Sequence, residues 1–410
     1  MLQKSVAVLA SQERMEDFAL ELLKLKWADQ GEAVAAAYIE FLVHLVSANV
    51  KFVKPAVKYL VENLKGTNDK SSDSEMLQNT HEAFKGLLEV APVTSRDEIM
   101  RHIVGRFPFY KMATYKHVCY VSALLEMTRY IPDSKDQILR LVMERLIKLD
   151  AHLNRDYIEE AYSKQSEEDC ALEVTVRTLD MFMMLMFTFI KESAHDYTES
   201  GEAVLNREKA EGLVESLLDI HVSHVLPTFN IFHTQFLFLY LGSLAPDISV
   251  KYLTRNWKVF SNPNQPGIIR QTAMAYIASY LARAKCVTPH LVLAYLDRLS
   301  VWALDYLRTR EVSAKSGLAG LDFMHTDINK HGAFYSACQA IFYVFTFRHS
   351  DLTARPESMK RLQGMSWQTL ITSSLNPLRV CLPVIVKNFS NHAKNYQLAY
   401  CTAIVQRNSR

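Results

Sequence analysis

"SYLARAKCVTPHLVLAYLDRLSVWALDYL", Ser279 to Leu307, reads as a helix, a break and a second helix. Apolar residues recur at three- and four-residue spacing on both sides of Thr288-Pro289, the period of an amphipathic helix. The first helix ends near Lys285. Thr288 then suits an N-cap, because its hydroxyl can accept from the free N–H groups of a first turn. Pro289 suits the first helical position, where its missing N–H has no intrahelical partner to lose.

The same pattern recurs along the chain. In "EAVAAAYIEFLVHLVSANV" the residues Val34, Tyr38, Phe41, Leu42, Leu45 and Val46 form one wide apolar face. In "DQILRLVMERLIKLD" the residues Ile138, Leu141, Val142, Leu146 and Leu149 do the same. Ten X-Pro steps punctuate these helices: Lys54-Pro55, Ala91-Pro92, Phe107-Pro108, Ile131-Pro132, Leu226-Pro227, Ala245-Pro246, Asn262-Pro263, Thr288-Pro289, Asn376-Pro377 and Leu382-Pro383. Strand-like alternation bounded by turn dipeptides is nearly absent. Helix–break–helix units of roughly forty residues predict an all-α chain, a HEAT/armadillo-like helical-repeat solenoid. The rival is one irregular bundle, which the length disfavours, since a single core rarely organises so many helices. We expect one array over 1–410, with a Ser/Asp loop at 65–78 and an acidic loop at 150–170 as insertions. A Gly-bearing loop at 312–332 is the third.

Composition agrees. Of 410 residues 49% are apolar, while Gly and Pro number only 12 each, too few for the glycine-rich loops of most α/β enzymes. Net charge is +2, which excludes a polyanion-binding chain as a whole. Charge is nevertheless uneven. Lys251–Arg310 holds nine Lys/Arg against two Asp/Glu, and Asp156–Glu173 holds seven acids against Lys164. Cys119, Cys170, Cys286, Cys338, Cys381 and Cys401 form no C-x-x-C, so neither a zinc ribbon nor a dithiol motif is present. Scattered cysteines on apolar stretches suggest free thiols in a reducing compartment. The longest apolar run, Met181–Ile190, is too short to span a membrane.

Chemistry is sought first in "HGAFYSACQAIFYVFTFRH", His331 to His349, which mixes a thiol, a hydroxyl and two imidazoles. On a helix starting near Gly332, however, Phe334, Cys338, Ile341, Phe342 and Phe345 share one apolar stripe. Tyr335, Gln339, Tyr343 and Thr346 lie on the more polar flank. His331 and His349 sit two and three turns from Cys338, beyond reach on the same helix. The stretch therefore predicts core, not a nucleophile with its base. His221 and His224 have metal-ligand spacing, with His233 following, but no carboxylate stands at the usual third position. Glu159-Glu160 and Glu167-Glu168-Asp169 read as solvated acids. G-x-S-x-G, P-loop, G-x-G-x-x-G and H-E-x-x-H motifs are absent, so no catalytic residue, metal or cofactor is expected. Two segments point to binding. Lys251, Arg255, Lys258 and Arg270 flank Trp257, a mix suited to a nucleic-acid backbone. Ser72-Asp73-Ser74-Glu75 places an acid three residues after Ser72, a pattern that acid-directed kinases accept.

"SNPNQPGIIRQTAMAYIASYLARAK" (Ser261–Lys285), "HGAFYSACQAIFYVFTFRH", "LNPLRVCLPVIVKNF" (Leu375–Phe389) and "YQLAYCTAIVQRNSR" (Tyr396–Arg410) together resemble the RNA polymerase I-specific transcription initiation factor family. "AAYIEFLVHLVSANVKFVKP", "RFPFY" (Arg106–Tyr110) and "LVMERLIKLD" fit the same family upstream and in the same order, so the resemblance spans nearly the whole sequence. It implies a nuclear and nucleolar HEAT-repeat adaptor without catalytic activity or cofactor. Its expected partners are RNA polymerase I, at the stalk region, and the promoter-bound core/selectivity factor of ribosomal DNA. It also implies a polymerase-facing phosphosite at Ser72 and Ser74, DNA contact through Arg255, Lys258 and Arg270, and a homodimer when free. The Ser/Asp stretch here is shorter and less acidic than the Asp/Glu run of vertebrate members. The family usually continues beyond both ends of this sequence, so the resemblance implies either a fragment or a shortened isoform. A scaffold or transport adaptor unrelated to transcription would share fold and composition, and co-purification with polymerase I separates the two.

Overall fold

The computed structural model describes residues 13–153, 167–315 and 327–408, and it divides the chain into two compact units. The first comprises residues 1–220 and 228–234, the second 221–227 and 235–410.

Helices α1 (Glu13–Leu22), α2 (Glu32–Ala48), α3 (Val53–Asn63), α4 (Lys70–Val90), α5 (Pro92–Gly105), α6 (Thr114–Tyr130), α7 (Lys135–His152), α8 (Glu167–Ala194) and α9 (Arg207–Ile220) build the first unit. Their packing is repetitive. α2 lies on α4, α3 on α5, α4 on α6, α6 on α8 and α7 on α9. Contact between each helix and its next-but-one neighbour is how a two-layer helical repeat buries a continuous core. The fold is thus all-α and HEAT/armadillo-like, as the breaks imply. One local departure is the hairpin β1 (His195–Tyr197) and β2 (Ala203–Leu205), paired antiparallel with His195 opposite Leu205.

The second unit begins with a π-helical turn, His221–Val225. It continues through α10 (Gln235–Ser243), α11 (Pro246–Ser261), α12 (Gly267–Arg283), α13 (Pro289–Lys315), α14 (Ile328–Thr353), α15 (Pro356–Gly364), α16 (Trp367–Ile371), α17 (Pro377–Val380), α18 (Pro383–Asn395) and α19 (Thr402–Asn408). Five of the ten X-Pro steps put their proline at an α-helix start, Pro92, Pro246, Pro289, Pro377 and Pro383, and Pro132 opens a 3-10 turn. Thr288 Oγ1 accepts from the Leu291 amide at 3.4 Å, the cap that its sequence suggests. α12 packs on α14, with the end of the Gln271 side chain lying over Gly332.

Two expectations change. The Ser/Asp stretch predicted as a loop over 65–78 is a turn only as far as Asp69, and Lys70–Gln78 forms the start of α4. Ser and Asp favour loops and first helical turns for the same reason, that their oxygens accept from free backbone N–H groups. Tyr335, expected on a polar flank, is buried and donates its hydroxyl to the Leu375 carbonyl at 2.9 Å. Of the acidic stretch 150–170, Asp150–His152 belongs to α7 and Glu167–Cys170 to α8, while 154–166 lies outside the described residues. Residues 316–326 of the third expected loop lie outside them too, while its ends, 312–315 and 328–332, are not loop but belong to α13 and α14.

Candidate functional site

The turn before α4 is held by one buried side chain. Gly66 and Asn68 adopt φ 69° and 81°, left-handed backbone that glycine and asparagine tolerate best. Asp73, buried in the first turns of α4, accepts from the Thr67 amide at 2.5 Å, the Thr67 hydroxyl at 2.7 Å and the Asn68 amide at 3.1 Å. A Cβ on Gly66 would sit 2.7 Å from Cys119 Sγ. Burial, and then the charge of Asp73, pushes the Cys119 thiol up to about 11, so this cysteine stays protonated.

Ser72 and Ser74 flank Asp73 but face different ways, since residues two apart on a helix point roughly 200° apart. Half-buried Ser72 donates to Asp29 Oδ2 at 3.4 Å. On the same side, Glu75 Oε1 accepts from the Gly31 amide at 3.1 Å and Asn79 Nδ2 donates to the Ala28 carbonyl at 2.8 Å. The first turns of α4 thereby clamp residues 28–31. Ser74 is exposed. A phosphate on Ser74 would project into water from the electropositive start of a helix. One on Ser72 would confront the Asp29 carboxylate.

The basic segment divides between surface and fold. Lys251, Arg255 and Lys258 share one face of α11 at i, i+4 and i+7. Lys258 is exposed and Arg255 half-buried. Arg270 is spent on the fold. Its Nε donates to the Phe260 carbonyl at 2.7 Å and its guanidinium lies 5.7 Å from the Phe260 ring, with burial lowering its pKa. A further cation joins from α13. The guanidinium of exposed Arg298 sits 5.2 Å from the Trp257 ring and 5.4 Å from that of Tyr295. Forty-one positions separate Trp257 from Arg298, so no local spacing reveals the pair.

The catalytic-looking residues are used for packing. Cys338 is fully buried in α14, and burial holds its thiol well above the ordinary value. His331 makes its hydrogen bond with the Tyr306 hydroxyl at 2.9 Å, and His349 with the Thr346 carbonyl at 2.9 Å. His221 pairs with Asn256 Oδ1 at 3.0 Å. His224 Nδ1 lies 2.7 Å from the Ser223 hydroxyl. His233 Nδ1 lies 2.8 Å from buried Asp150, whose carboxylate also accepts from the Phe232, His233 and Thr234 amides and the Thr234 hydroxyl. Glu159-Glu160 falls outside the described residues.

Comparison with known proteins gives one consistent picture. The profile of the family "RNA polymerase I specific transcription initiation factor RRN3" matches residues 1–170 and 154–410. An RNA polymerase I-specific transcription initiation factor RRN3 of Mus musculus is 30% identical over 95% of this chain, which spans 64% of that protein's length. The Schizosaccharomyces pombe factor rrn3 is 24% identical over 95% of the chain and 70% of its own length. A crystal structure of RNA polymerase I transcription initiation factor Rrn3 superposes with a TM-score of 0.82 at 21% identity, covering 100% of this chain and 80% of that one. At that identity the structural match speaks for the fold.

Proposed function

We propose an adaptor role in ribosomal RNA synthesis for this chain, which belongs to the RRN3 family of RNA polymerase I-specific transcription initiation factors. The observation that carries it is the match of the family profile along residues 1–170 and 154–410, which touches both units. The adaptor is non-catalytic. It binds RNA polymerase I near its stalk, binds the promoter-bound core/selectivity factor, and raises the local concentration of polymerase at ribosomal DNA. Such work places it in the nucleus and nucleolus. The burial of Cys338 and the engagement of His331 and His349 in packing favour this reading over a thiol enzyme.

Phosphorylation at the start of α4 weakens polymerase docking in this scheme, through about two added negative charges. The exposure of Ser74 supports it as the modified position, and Ser72 is a lesser substrate because of Asp29. Lys258 and Arg255 supply any contact with promoter DNA, with Arg298 rather than Arg270 as the third cation. The free chain self-associates and separates on docking.

Purified chain and RNA polymerase I provide the test. Co-sedimentation, and rescue of initiation on a ribosomal promoter in extract depleted of its own factor, are the expected results. Absence of both rejects the adaptor. Ser74→Asp should weaken co-sedimentation more than Ser72→Asp. Undiminished binding by both variants removes the switch and leaves the adaptor standing.

A further inference from the structure

A groove of about 460 Å³ runs along α14 in the second unit. α14 is its floor, α12 one wall, and the stretch from Val380 into α18 the other. α12 and α18 both pack on α14. Along the floor Gly332, Ser336 and Ala340 follow one another at four-residue spacing, one face of the helix. Ala275, Ala278 and Ser279 line the α12 side. From Gly332 to Tyr343 the floor is about 16 Å long, three helical turns. The rim is aliphatic. Ile328 and Leu382 are each 57% exposed, and Val384, beside the lining residue Ile385, is 71% exposed.

Two properties say what fits it. The first is polarity. Gln339 Oε1 accepts from the Leu382 amide at 3.0 Å, Ser336 donates to the Ala333 carbonyl at 2.9 Å and Ser279 to Gln235 Oε1 at 2.8 Å. These polar groups are engaged within the fold, so an apolar occupant covers them without stranding a donor or acceptor. Small floor residues also let a helix axis approach closely. The second property is charge. No Asp or Glu occurs in α12, in residues 328–348 of α14, or anywhere from Ser358 to Arg410, and that last stretch holds seven Lys/Arg. Arg379, next to the lining residue Val380, and Lys387, one turn after Val384, are both exposed. Among the described residues neither pairs with a carboxylate. An exposed aliphatic patch with a polar rim marks an interaction site, and the sign of this rim selects an acidic partner.

We propose that this groove docks an acidic amphipathic helix of a partner protein, about three turns long. Apolar side chains at i, i+4 and i+7 of that helix pack against Leu382, Ile385 and the alanines of α12. Its backbone lies over Gly332, Ser336 and Ala340. Its carboxylates, on the flank away from the floor, meet Arg379 and Lys387. A basic helix would meet only like charge. A nucleic acid would find cations but leave the aliphatic rim uncovered. The proposal goes beyond the adaptor reading and stands or falls without it.

Fluorescence anisotropy tests it with the whole chain and a labelled peptide, Glu-Asp-Leu-Leu-Glu-Asp-Ile-Leu-Glu-Asp-Leu-Glu. Two comparison peptides are used. One replaces every acid by lysine, and the other has the same composition in an order that scatters the apolar residues around the helix. The parent peptide should bind, and each comparison should bind about tenfold or more weakly. Ala275→Arg, which obstructs the groove, Leu382→Asp and Arg379→Glu all stand at exposed positions. They should keep the circular dichroism of the parent chain and lose affinity about tenfold. Arg379→Glu should also narrow the gap between the acidic and lysine peptides, which a merely structural role would not do. Absence of binding by the parent peptide, equal binding of the scattered peptide, or full affinity in Ala275→Arg and Leu382→Asp would each overturn the proposal. So would displacement of the peptide by a single-stranded oligonucleotide, which would leave only a cationic surface. If Leu382→Asp turns a dimer of the free chain into monomers in sedimentation, the groove belongs to a second copy and the proposal is likewise overturned.

Discussion

His221 in the second unit and His117 in the first are both buried imidazoles with one ring nitrogen unpartnered. Around His221 the space is filled. Phe238 lies 4.6 Å away by ring centroids, and Tyr252 and Tyr276 each 5.0 Å, with Asn256 fixing Nε2. His117 also touches rings, Phe182 at 6.0 Å and Phe107 at 6.4 Å, and its unpartnered nitrogen is sealed too, but the residue stands at the wall of a cavity of about 180 Å³ beside Phe107. An unsatisfied buried atom is therefore not a site by itself. Sealed, it is a cost that neighbouring packing offsets. At the wall of a cavity, fewer neighbours are there to offset it.

The sharpest way to break this contrast is truncation at the sealed ring. His221→Ala should cost about 3–4 kcal/mol of stability, because it opens a void among three aromatic rings and strips Asn256 Oδ1 of its donor. Urea denaturation checks it, and a cost under about 1 kcal/mol would mean that the ring is not sealed.

Acid gives the next effect. Burial holds His221 neutral and lowers its pKa to about 4 from an ordinary 6.5. In the first unit, burial and then the charge of Lys85 bring His81 to about 4 as well. A folded pKa below the unfolded one means that the unfolded chain binds protons first. This contribution is complete above pH 6.5 and is lost as pH falls toward 4. It amounts to about 3 kcal/mol for each histidine. Denaturation midpoints should fall through that window, and His221→Phe should flatten the fall. An unchanged pH profile in that variant would assign the acid sensitivity elsewhere.

How much of this was legible depends on where the partners lie in the chain. Thr288-Pro289 announced the start of α13 because capping is local. The apolar stripe of α14 was legible for the same reason, and Phe334, Cys338, Ile341, Phe342 and Phe345 are all buried as their spacing predicts. Val34, placed on the apolar face of α2 by the same reasoning, is 49% exposed, because periodicity gives a stripe but not the width that a neighbour covers. The role of Asp73 was hidden, since Ser/Asp-rich sequence serves turns and first helical turns alike. The Phe107 cavity was invisible. Its walls come from the loop before α6 and from three helices, α6, α7 and α8, and "RFPFY" showed only that the stretch was distinctive.

Asp73 supplies a smaller test, of a polar group that is satisfied rather than sealed. Asp73→Ala removes the acceptor of three hydrogen bonds and leaves the Thr67 and Asn68 amides without it. The expected loss is about 2 kcal/mol, with faster proteolysis at residues 66–69. Asp73→Asn should recover part of it, since one oxygen remains. If alanine costs nothing, water serves the turn as well as the carboxylate does.

The smallest effect on stability is expected at Arg145, beside the Phe107 cavity. Arg145→Met keeps the aliphatic stem that packs near Phe107 and removes a buried Nε that has no acceptor. It loses a cation–π contact of about 1 kcal/mol and relieves a desolvation cost of similar size. Its net stability should therefore lie within about 0.5 kcal/mol of the parent chain. At His221 the balance is opposite, because the ring fills its space and its loss leaves a void. A large loss of stability in Arg145→Met would show that the guanidinium is part of the core, and the two imidazoles would then belong to one class after all.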